Sequence, residues 1–329
     1  MLTDEIFLKR CIELAQFGLG NTYPNPLVGS VVVYQNQIIG EGWHQKAGQA
    51  HAEVRAIQSV KNPELLPEST VYVSLEPCAH YGKTPPCADL LIEKKVKRVV
   101  IGCRDSFDQV DGKGIQKLKN AGIEVSIGIL EQEARKLNRR FFTYHEKKRP
   151  YIILKWAQSQ DGFLAPDPKE HQGPFWMTSP ASKQRVHQWR TQEQAILIGG
   201  ETLRKDNPQL NVRLWEGNAP IRFIWSQQES ADDKWKVCDE SAPTHFMQAK
   251  SVEELVEQLF IQGIQSIIIE GGAQVLQQFI SAEMWDEARL FTAPVQLVSG
   301  TKAPELEGIC VHHEQIGPDH LQYYEPRHV

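Results

Sequence analysis

Residues 74–87 read SLEPCAHYGKTPPC, and the fold turns on how this stretch is read. The apolar run Val71, Tyr72, Val73 before it has the composition of a buried strand, and the pattern 87–95 after it is helical. The glycine and three prolines between make a loop, so Cys78 and Cys87 stand nine positions apart at its two ends. Thr84 followed by Pro85 resembles a helix cap with proline in the first turn, which puts the second cysteine within or beside that turn. Thiolates are favoured where unpaired backbone N–H groups point outward.

Upstream, His51-Ala52-Glu53 heads a helical pattern over 51–60. A lone His-Ala-Glu has little specificity, since a histidine at a core edge is common. Two Pro-Cys pairs change that weighing, because a Glu-Pro-Cys loop and a Pro-Pro-Cys helix start bring both sulfurs beside the turn that carries His51. His51, Cys78 and Cys87 then supply three zinc ligands and leave a fourth position for water, with Glu53 close enough to move protons. This is the residue set of a zinc-dependent base deaminase. Glu76 is the rival carboxylate; it precedes the ligand loop directly and fits a backbone-fixing role equally well. Asn25, His44, His80 and Lys83 lie at neighbouring turns, where each can meet an exocyclic group or an anionic tail.

The whole chain sets the frame. At 329 residues it exceeds what one core usually serves, and two domains are expected. A net charge of -5 offers no global attraction to nucleic acid or an anionic membrane, so neither is expected as a partner. Acidic residues and a helical period occupy the N-terminus, where a signal peptide needs a basic start and an apolar run, and no stretch reaches membrane-span length. A cytoplasmic protein is expected. Six cysteines are too sparse for a disulfide framework, which leaves two for a metal.

In chain order, a helix over 5–19 is followed by the rigid turn 23–26 and strands over 28–34 and 38–43. Strand and helix then alternate through 96–102, 115–121 and 123–127, and from 131 one helix is expected to reach Phe141-Phe142, followed by a linker. Pro150 marks a boundary, giving units 1–148 and 149–329. A second alternation follows, with strands at 151–157, 195–198, 221–225, 266–269 and 287–292 and helices at 182–192, 252–261 and 273–280. Glu270-Gly271-Gly272 lies between a buried strand and a helix, where N–H groups can receive a cofactor phosphate, although a strand-to-helix turn needs glycine for geometry alone. Lys155 and Asp206 stand at a strand end or helix-side loop, where a charge reaches a pocket.

Taken together, Asn25 to Gly29 (NPLVG), His51-Ala52-Glu53 and EPCAHYGKTPPC (76–87) resemble the deaminase domain of the bifunctional riboflavin-biosynthesis deaminase/reductase family. KWAQSQDG (155–162), WMTS (176–179), GETLRKDNP (200–208), Glu270-Gly271-Gly272 and Asp286-Glu287 resemble its reductase domain in family order. The resemblance implies a cytidine-deaminase-like three-layer α/β/α domain over 1–148 and a dihydrofolate-reductase-like α/β domain over 149–329. It implies Zn2+ on His51, Cys78 and Cys87, with Glu53 shuttling protons, and a phosphorylated pyrimidine substrate met by Asn25, His44, His80 and Lys83. In the second domain it places NADPH against Ala157, Trp176, Thr202, Asp206, Gly271 and Gly272, and substrate against Arg190, Leu210, Arg213 and Glu270. Lys155 and Asp206 are the catalytic candidates there. The sequence departs from the family pattern at 105–109, at Gln160 and at 173–175.

Two other readings remain open. One is a nucleoside or tRNA-type deaminase with a non-catalytic second domain, which the Lys83 loop and the acidic balance disfavour. The other is a binding module with structural zinc, which needs a fourth protein ligand such as Cys103 or His80. A homo-oligomer is possible on either.

Overall fold

The computed structural model describes residues 4–79, 81, 85–106, 111–166 and 175–327. The chain divides into two compact units, 1–148 and 149–329.

The first unit runs α1 (Asp4–Gln16), β1 (Gly29–Tyr34), β2 (Gln37–Trp43), α2 (Ala52–Gln58), β3 (Thr70–Leu75), α3 (Cys87–Glu93), β4 (Arg98–Cys103), α4 (Lys113–Asn120), β5 (Glu124–Ile127), α5 (Glu131–Leu137) and α6 (Arg139–Lys147). Its five strands form one sheet in the order β2-β1-β3-β4-β5, antiparallel on the β2 side and parallel from β3 to β5. The period-2 alternation of the strands sorts the side chains between two helical layers. Val32, Val71, Val73, Val99 and Ile101 pack with residues of α2, α3 and α4, while Val31, Val33, Tyr72 and Val100 pack with α1. Each fully buried valine or isoleucine contributes about 1.5–3 kcal/mol by leaving water.

Gly42 on β2 lets the backbone of α2 lie directly on the sheet. A Cβ there would stand 2.5 Å from Ala56 N and 2.7 Å from Ala52 O. The first turn of α2, which carries the His51 motif, is fixed by that approach.

The helix expected from 131 onward is two helices, because Asn138 breaks it. Its side chain accepts the Leu27 N–H at 2.8 Å and donates to the Leu27 carbonyl at 2.9 Å, tying the junction of α5 and α6 to the segment before β1. Helix α3 starts at Cys87 as expected, but its cap is not the expected threonine. Pro86 is its N-cap residue and Cys87 its first residue, while Thr84 lies outside the described residues.

The second unit runs β6 (Tyr151–Ser159), β7 (Phe163–Ala165), α7 (Pro180–Gln192), β8 (Ala195–Gly199), α8 (Gly200–Asp206), β9 (Ile221–Trp225), β10 (Thr244–Met247), α9 (Val252–Ile261), β11 (Ser266–Ile269), α10 (Ala273–Ser281), β12 (Glu287–Ala293), β13 (Thr301–Lys302), β14 (Ile309–Ile316) and β15 (Asp319–Glu325). Eight strands form a sheet in the order β10-β9-β8-β11-β6-β12-β15-β14, parallel through β12 and antiparallel at the last two. Ile152, Leu154 and Trp156 of β6 face a core shared with α9 and α10, and Ile153 faces one shared with α7 and α8. The parallel strands put the starts of α8 and α10 at one edge, which is where α/β sheets bind ligands.

Among the described residues no helix is long and apolar enough to cross a membrane.

Candidate functional site

His51 is the N-cap residue of α2, with extended backbone (φ −71°, ψ 165°) and no side-chain capping bond, so its ring is not spent on the helix. It turns instead to the two sulfurs. His51 Nδ1 lies 3.6 Å from Cys78 Sγ and 3.3 Å from Cys87 Sγ, and the Cys87 N–H donates to Cys78 Sγ at 3.3 Å. The three ligand atoms form the one His/Cys/Asp/Glu cluster of metal-holding geometry among the described residues. Edges of about 3.3–3.8 Å are what a tetrahedron with zinc bond lengths requires, and two thiolates with an imidazole are a zinc donor set, so the residues fit that metal. Cys103 takes no part: its thiol is buried and donates to Ser74 O at 3.6 Å, which removes it as a fourth ligand.

Cys78 is held well below the ordinary thiol range by hydrogen bonds from the Cys87 thiol, from His51 and from the Cys87 N–H, which outweigh its burial. Cys87, more deeply buried and donating to that sulfur, is pushed up. Two residues beyond His51, Glu53 is buried beside the cluster, and burial pushes its carboxyl up to about 7 against the pull of His51. A carboxyl near neutrality both accepts and returns a proton.

Glu76 has a different task. Its Oε1 accepts the N–H groups of Gly114 (3.0 Å) and Ile115 (3.2 Å), and its Oε2 those of Gly112 (3.1 Å) and Asp105 (3.3 Å). The carboxylate pins the start of α4 to the ligand loop. A side chain on Gly114 is excluded, because its Cβ would meet Pro77 O at 2.0 Å.

Asn25 and His44 come together at the same edge. Asn25 Nδ2 is 3.0 Å from His44 Nε2, and His44 Nδ1 is 3.3 Å from the Ala50 carbonyl. A carbonyl only accepts, so Nδ1 carries the proton and Nε2 accepts from Asn25. Burial lowers the His44 pKa, consistent with this neutral form, and its ring stands edge-on to His51 with centroids 5.4 Å apart. His80 and Lys83 lie outside the described residues, as do 107–110 of the departing segment and 167–174 before Trp176.

In the second unit a cavity of about 350 Å³ is lined by Lys155 and Ala157 of β6, Thr202 and Asp206 of α8, the turn Glu270, Gly271, Gly272, and Trp176. Gly271 has φ +121°, a conformation that favours glycine, and Gly272 caps α10 without a side-chain bond. The turn therefore presents bare backbone to the cavity at the helix start, as a phosphate-bearing cofactor requires.

Burial alone would raise Glu270, but the charges of Arg190 and Lys155 hold its carboxyl at about 2. Arg190 grips it twice, Nε to Oε1 at 2.9 Å and Nη2 to Oε2 at 2.7 Å, and Lys155 Nζ lies 3.8 Å from Oε2. Burial lowers the pKa of Lys155, partly countered by Glu270.

Not every expected residue faces the cavity. Leu210 is buried in the core with φ +52°, so only its backbone is on offer. It is fixed from both sides: Arg222 Nη1 donates to Gln209 O at 3.2 Å and Arg190 Nη1 to Asn211 O at 2.9 Å. Arg213 is exposed, bonded to Asn211 Oδ1 at 2.9 Å. Gln160 is exposed beyond the end of β6, its N–H donating to Val295 O at 2.8 Å.

Two residues escaped the sequence reading. Lys183 lines the cavity with Nζ 4.0 Å from the Trp176 ring centre, and His187 is buried with no partner for Nδ1 among the described residues. With Arg190 they stand at the i, i+4, i+7 positions of α7, a spacing visible in the sequence.

Comparison with known proteins agrees with this architecture. The family profile described as cytidine and deoxycytidylate deaminase zinc-binding region matches residues 1–103, and that described as RibD C-terminal domain matches 150–321. The chain is 38% identical to the riboflavin biosynthesis protein RibD of Aquifex aeolicus, over 92% of this chain and 90% of that one. It is 34% identical to the Escherichia coli RibD, over 94% and 91%. The crystal structure of a diaminohydroxyphosphoribosylaminopyrimidine deaminase/5-amino-6-(5-phosphoribosylamino)uracil reductase from Thermotoga maritima superposes with a TM-score of 0.90 at 36% identity, covering 98% of each chain. Acinetobacter baumannii RibD superposes with a TM-score of 0.89 at 35% identity, also covering 98% of each. A zinc-type deaminase unit and a reductase-like α/β unit in one chain, matched along almost its whole length, place it in the RibD family of riboflavin biosynthesis proteins.

Proposed function

We propose that the chain carries out two successive steps of riboflavin biosynthesis, with the deaminase in 1–148 and the reductase in 149–329. The first hydrolyses an amino group from a diaminohydroxyphosphoribosylaminopyrimidine, and the second reduces the ribosyl side chain of the resulting uracil to ribityl. The observation that carries this reading is the presence, in one chain, of the His51/Cys78/Cys87 cluster with buried Glu53 and of the Lys155–Glu270 cavity beside Gly271-Gly272.

In the first unit His51, Cys78 and Cys87 hold zinc, whose Lewis acidity makes water a competent nucleophile at neutral pH. Glu53 takes one proton from the attacking water and passes it to the ring nitrogen, then takes the second from the hydroxyl that has added to the carbon and passes it to the departing amine. A C–O bond forms as the C–N bond breaks, and ammonia leaves. Asn25 and neutral His44 orient the base, with His80 and Lys83 on the phosphorylated side.

In the second unit the ribosyl ring opens to an imine, giving a carbon that accepts hydride. NADPH supplies the hydride when bound, against Ala157, Trp176, Thr202, Asp206, Gly271 and Gly272. Lys155, deprotonated more readily than an ordinary lysine because it is buried, delivers the balancing proton to the imine nitrogen. Glu270 and Arg190 hold Lys155 and substrate in place, Arg213 meets the phosphate from outside, and the backbone at Leu210 lies alongside. Asp206 sits at the end of α8 where the opening sugar meets the cavity.

Supplying each substrate separately to the purified chain tests this. Ammonia should appear with the diaminopyrimidine, and NADPH should be consumed only with the deaminated product. Ammonia release without NADPH oxidation by well-folded protein would leave the deaminase with a non-catalytic second unit.

A further inference from the structure

One wall of the cavity that holds Lys155 belongs neither to the helices nor to the large sheet. β7 and β13 pair antiparallel as a separate two-stranded ribbon, with Ala165 opposite Thr301 and Phe163 opposite Lys302. Leu164, Ala165 and Thr301 of this ribbon line the cavity. Leu164 and Ala303 seat it on the core that contains Leu154 and Trp156. The close approach of its two strands needs Gly300, where a Cβ would meet Ala165 O at 2.0 Å.

Asp161 holds the two segments together across a separation of 136 positions. Its Oδ1 accepts the Ser159 hydroxyl at 2.6 Å and the Leu297 N–H at 3.1 Å, and its Oδ2 accepts the Val298 N–H at 2.7 Å. Ser159 is buried at the end of β6, and its Oγ accepts the Phe163 N–H at 2.9 Å. The carboxylate is thus tied to the sheet on one side and to the 297–298 turn on the other. Two backbone bonds flank it, from Gln160 N–H to Val295 O at 2.8 Å and from Ala303 N–H to Gly162 O at 2.9 Å. The Ser159 hydroxyl, and after it the N–H groups of Val298 and Leu297, hold the Asp161 carboxyl at about 2, so it is ionised at neutral pH.

Val298 has φ +65°, a conformation that a β-branched residue rarely adopts. Its side chain is exposed, so packing does not offset that strain; the N–H bonds to Asp161 do. None of the site residues expected from the sequence lies in the ribbon or in the turn that anchors it. We propose that Asp161 is a positioning residue for the reduction: by holding the 297–298 turn against the end of β6 it keeps the β7–β13 ribbon in place as a wall of the Lys155 cavity, which confines the substrate there. The proposal rests on the reductase reading of 149–329 and goes beyond it by naming a residue that acts through the ribbon.

Asp161→Asn tests it with little change in size. Leu297 N–H faces both carboxylate oxygens, at 3.1 and 3.2 Å, so either placement of the amide turns an NH2 group toward that donor. A ribbon in place for only a fraction of the time lowers the apparent affinity by that fraction. In NADPH oxidation, KM for the deaminated substrate should rise by about tenfold to a hundredfold, the scale of one lost hydrogen bond to a charged group, while kcat stays within a few-fold. Ammonia release by the first unit should not change. Hydrogen exchange should quicken in 160–165 and 295–303 but not in β8 and β11, which separates local opening from lost stability of the whole unit. Val298→Gly should behave as wild type by itself, and in the Asp161→Asn background it should bring KM most of the way back, because glycine adopts φ +65° without strain. A wild-type KM in Asp161→Asn overturns the assignment and leaves the reductase reading standing. So does a raised KM that Val298→Gly fails to lower, with exchange quickened throughout the unit, which would make Asp161 a general stabiliser. If the wild type oxidises no NADPH with the deaminated substrate, both fall together.

Discussion

Glu76 accepts the Gly114 N–H at 3.0 Å, and with three further N–H groups on the same carboxylate its hydrogen-bonding capacity is committed to backbone. Glu53, by contrast, is buried beside the cysteines with its carboxyl pushed up to about 7. The chain thus has two acidic groups near the ligand loop, one spent on backbone N–H groups and one, with its carboxyl near neutrality, that is the proposed proton carrier.

Glu53→Gln should therefore keep zinc and fold while deamination falls by about 10²–10⁴, since an amide cannot take the proton of water. Glu76→Gln should do the reverse, lowering the stability of the first unit by about 1–3 kcal/mol with a smaller effect on kcat. Ammonia release and denaturant unfolding of both variants check this. Near wild-type ammonia release from Glu53→Gln would move the proton shuttle elsewhere.

The purified chain should hold about one zinc with two sulfur and one nitrogen protein ligands, leaving a position for water. Cys78→Ala and Cys87→Ala should each lose the metal. X-ray absorption that finds four protein ligands would make the site structural, as would zinc retained unchanged in Cys78→Ala. Chelation should stop ammonia release and leave reduction of the deaminated substrate intact.

How much of this was legible beforehand depended on how local the signal was. The ligand triad could be read because Pro-Cys pairs at a strand end and a helix start are sequence features. The backbone-fixing role of Glu76 was legible only as one of two readings, because its partners stand 29 to 39 positions away and become neighbours only when β4 pairs with β3. The break at Asn138 has the same origin, a bond to Leu27 from 111 positions away. Helix α8 has no legible period because Leu203 is its one large apolar residue, and β10 has no apolar run because Met247 is the one buried residue of its four. The hairpin of β14 and β15 lies on polar sequence, exposed along β14 and mostly half-buried along β15, and its one local signal is Gly317-Pro318 between two runs of β-forming residues.

Acid should weaken the second unit in two stages. His187 is held down to about 4, by burial first and then by Arg190 and Arg213, against an unfolded value of 6.5. Between these values the unfolded chain binds the extra proton, so the stability is fully present above pH 6.5 and is lost as pH falls toward 4. Glu270, at about 2 against 4.5, adds a loss that begins below pH 4.5 and continues toward 2. Seven of the eight tryptophans lie in this unit, so their fluorescence during urea unfolding reports it. His187→Gln should flatten the dependence between pH 6.5 and 4. An unchanged slope in that variant would assign the loss to other groups.

The last prediction concerns Lys155. It stands on β6 with its ammonium 3.8 Å from Glu270 and in the same cavity as Ala157 and Gly271, which are expected to meet the cofactor. Lys155→Met keeps the length and apolar stem of the side chain and removes the proton, and the rate of NADPH oxidation with deaminated substrate should fall by about 10²–10⁴. NADP+ affinity should stay within a few-fold, because the proposed site for its phosphates is the Gly272 turn and not Lys155. Asp206→Ala should also slow reduction severely, while ammonia release from the first unit continues in both variants. Glu270→Gln separates positioning from chemistry: it strips the partner from buried Arg190 and Lys155 and should cost about 3–5 kcal/mol of stability as well as rate. Loss of rate in Glu270→Gln alone, with Lys155→Met reducing at wild-type speed, would assign the proton to a group other than Lys155.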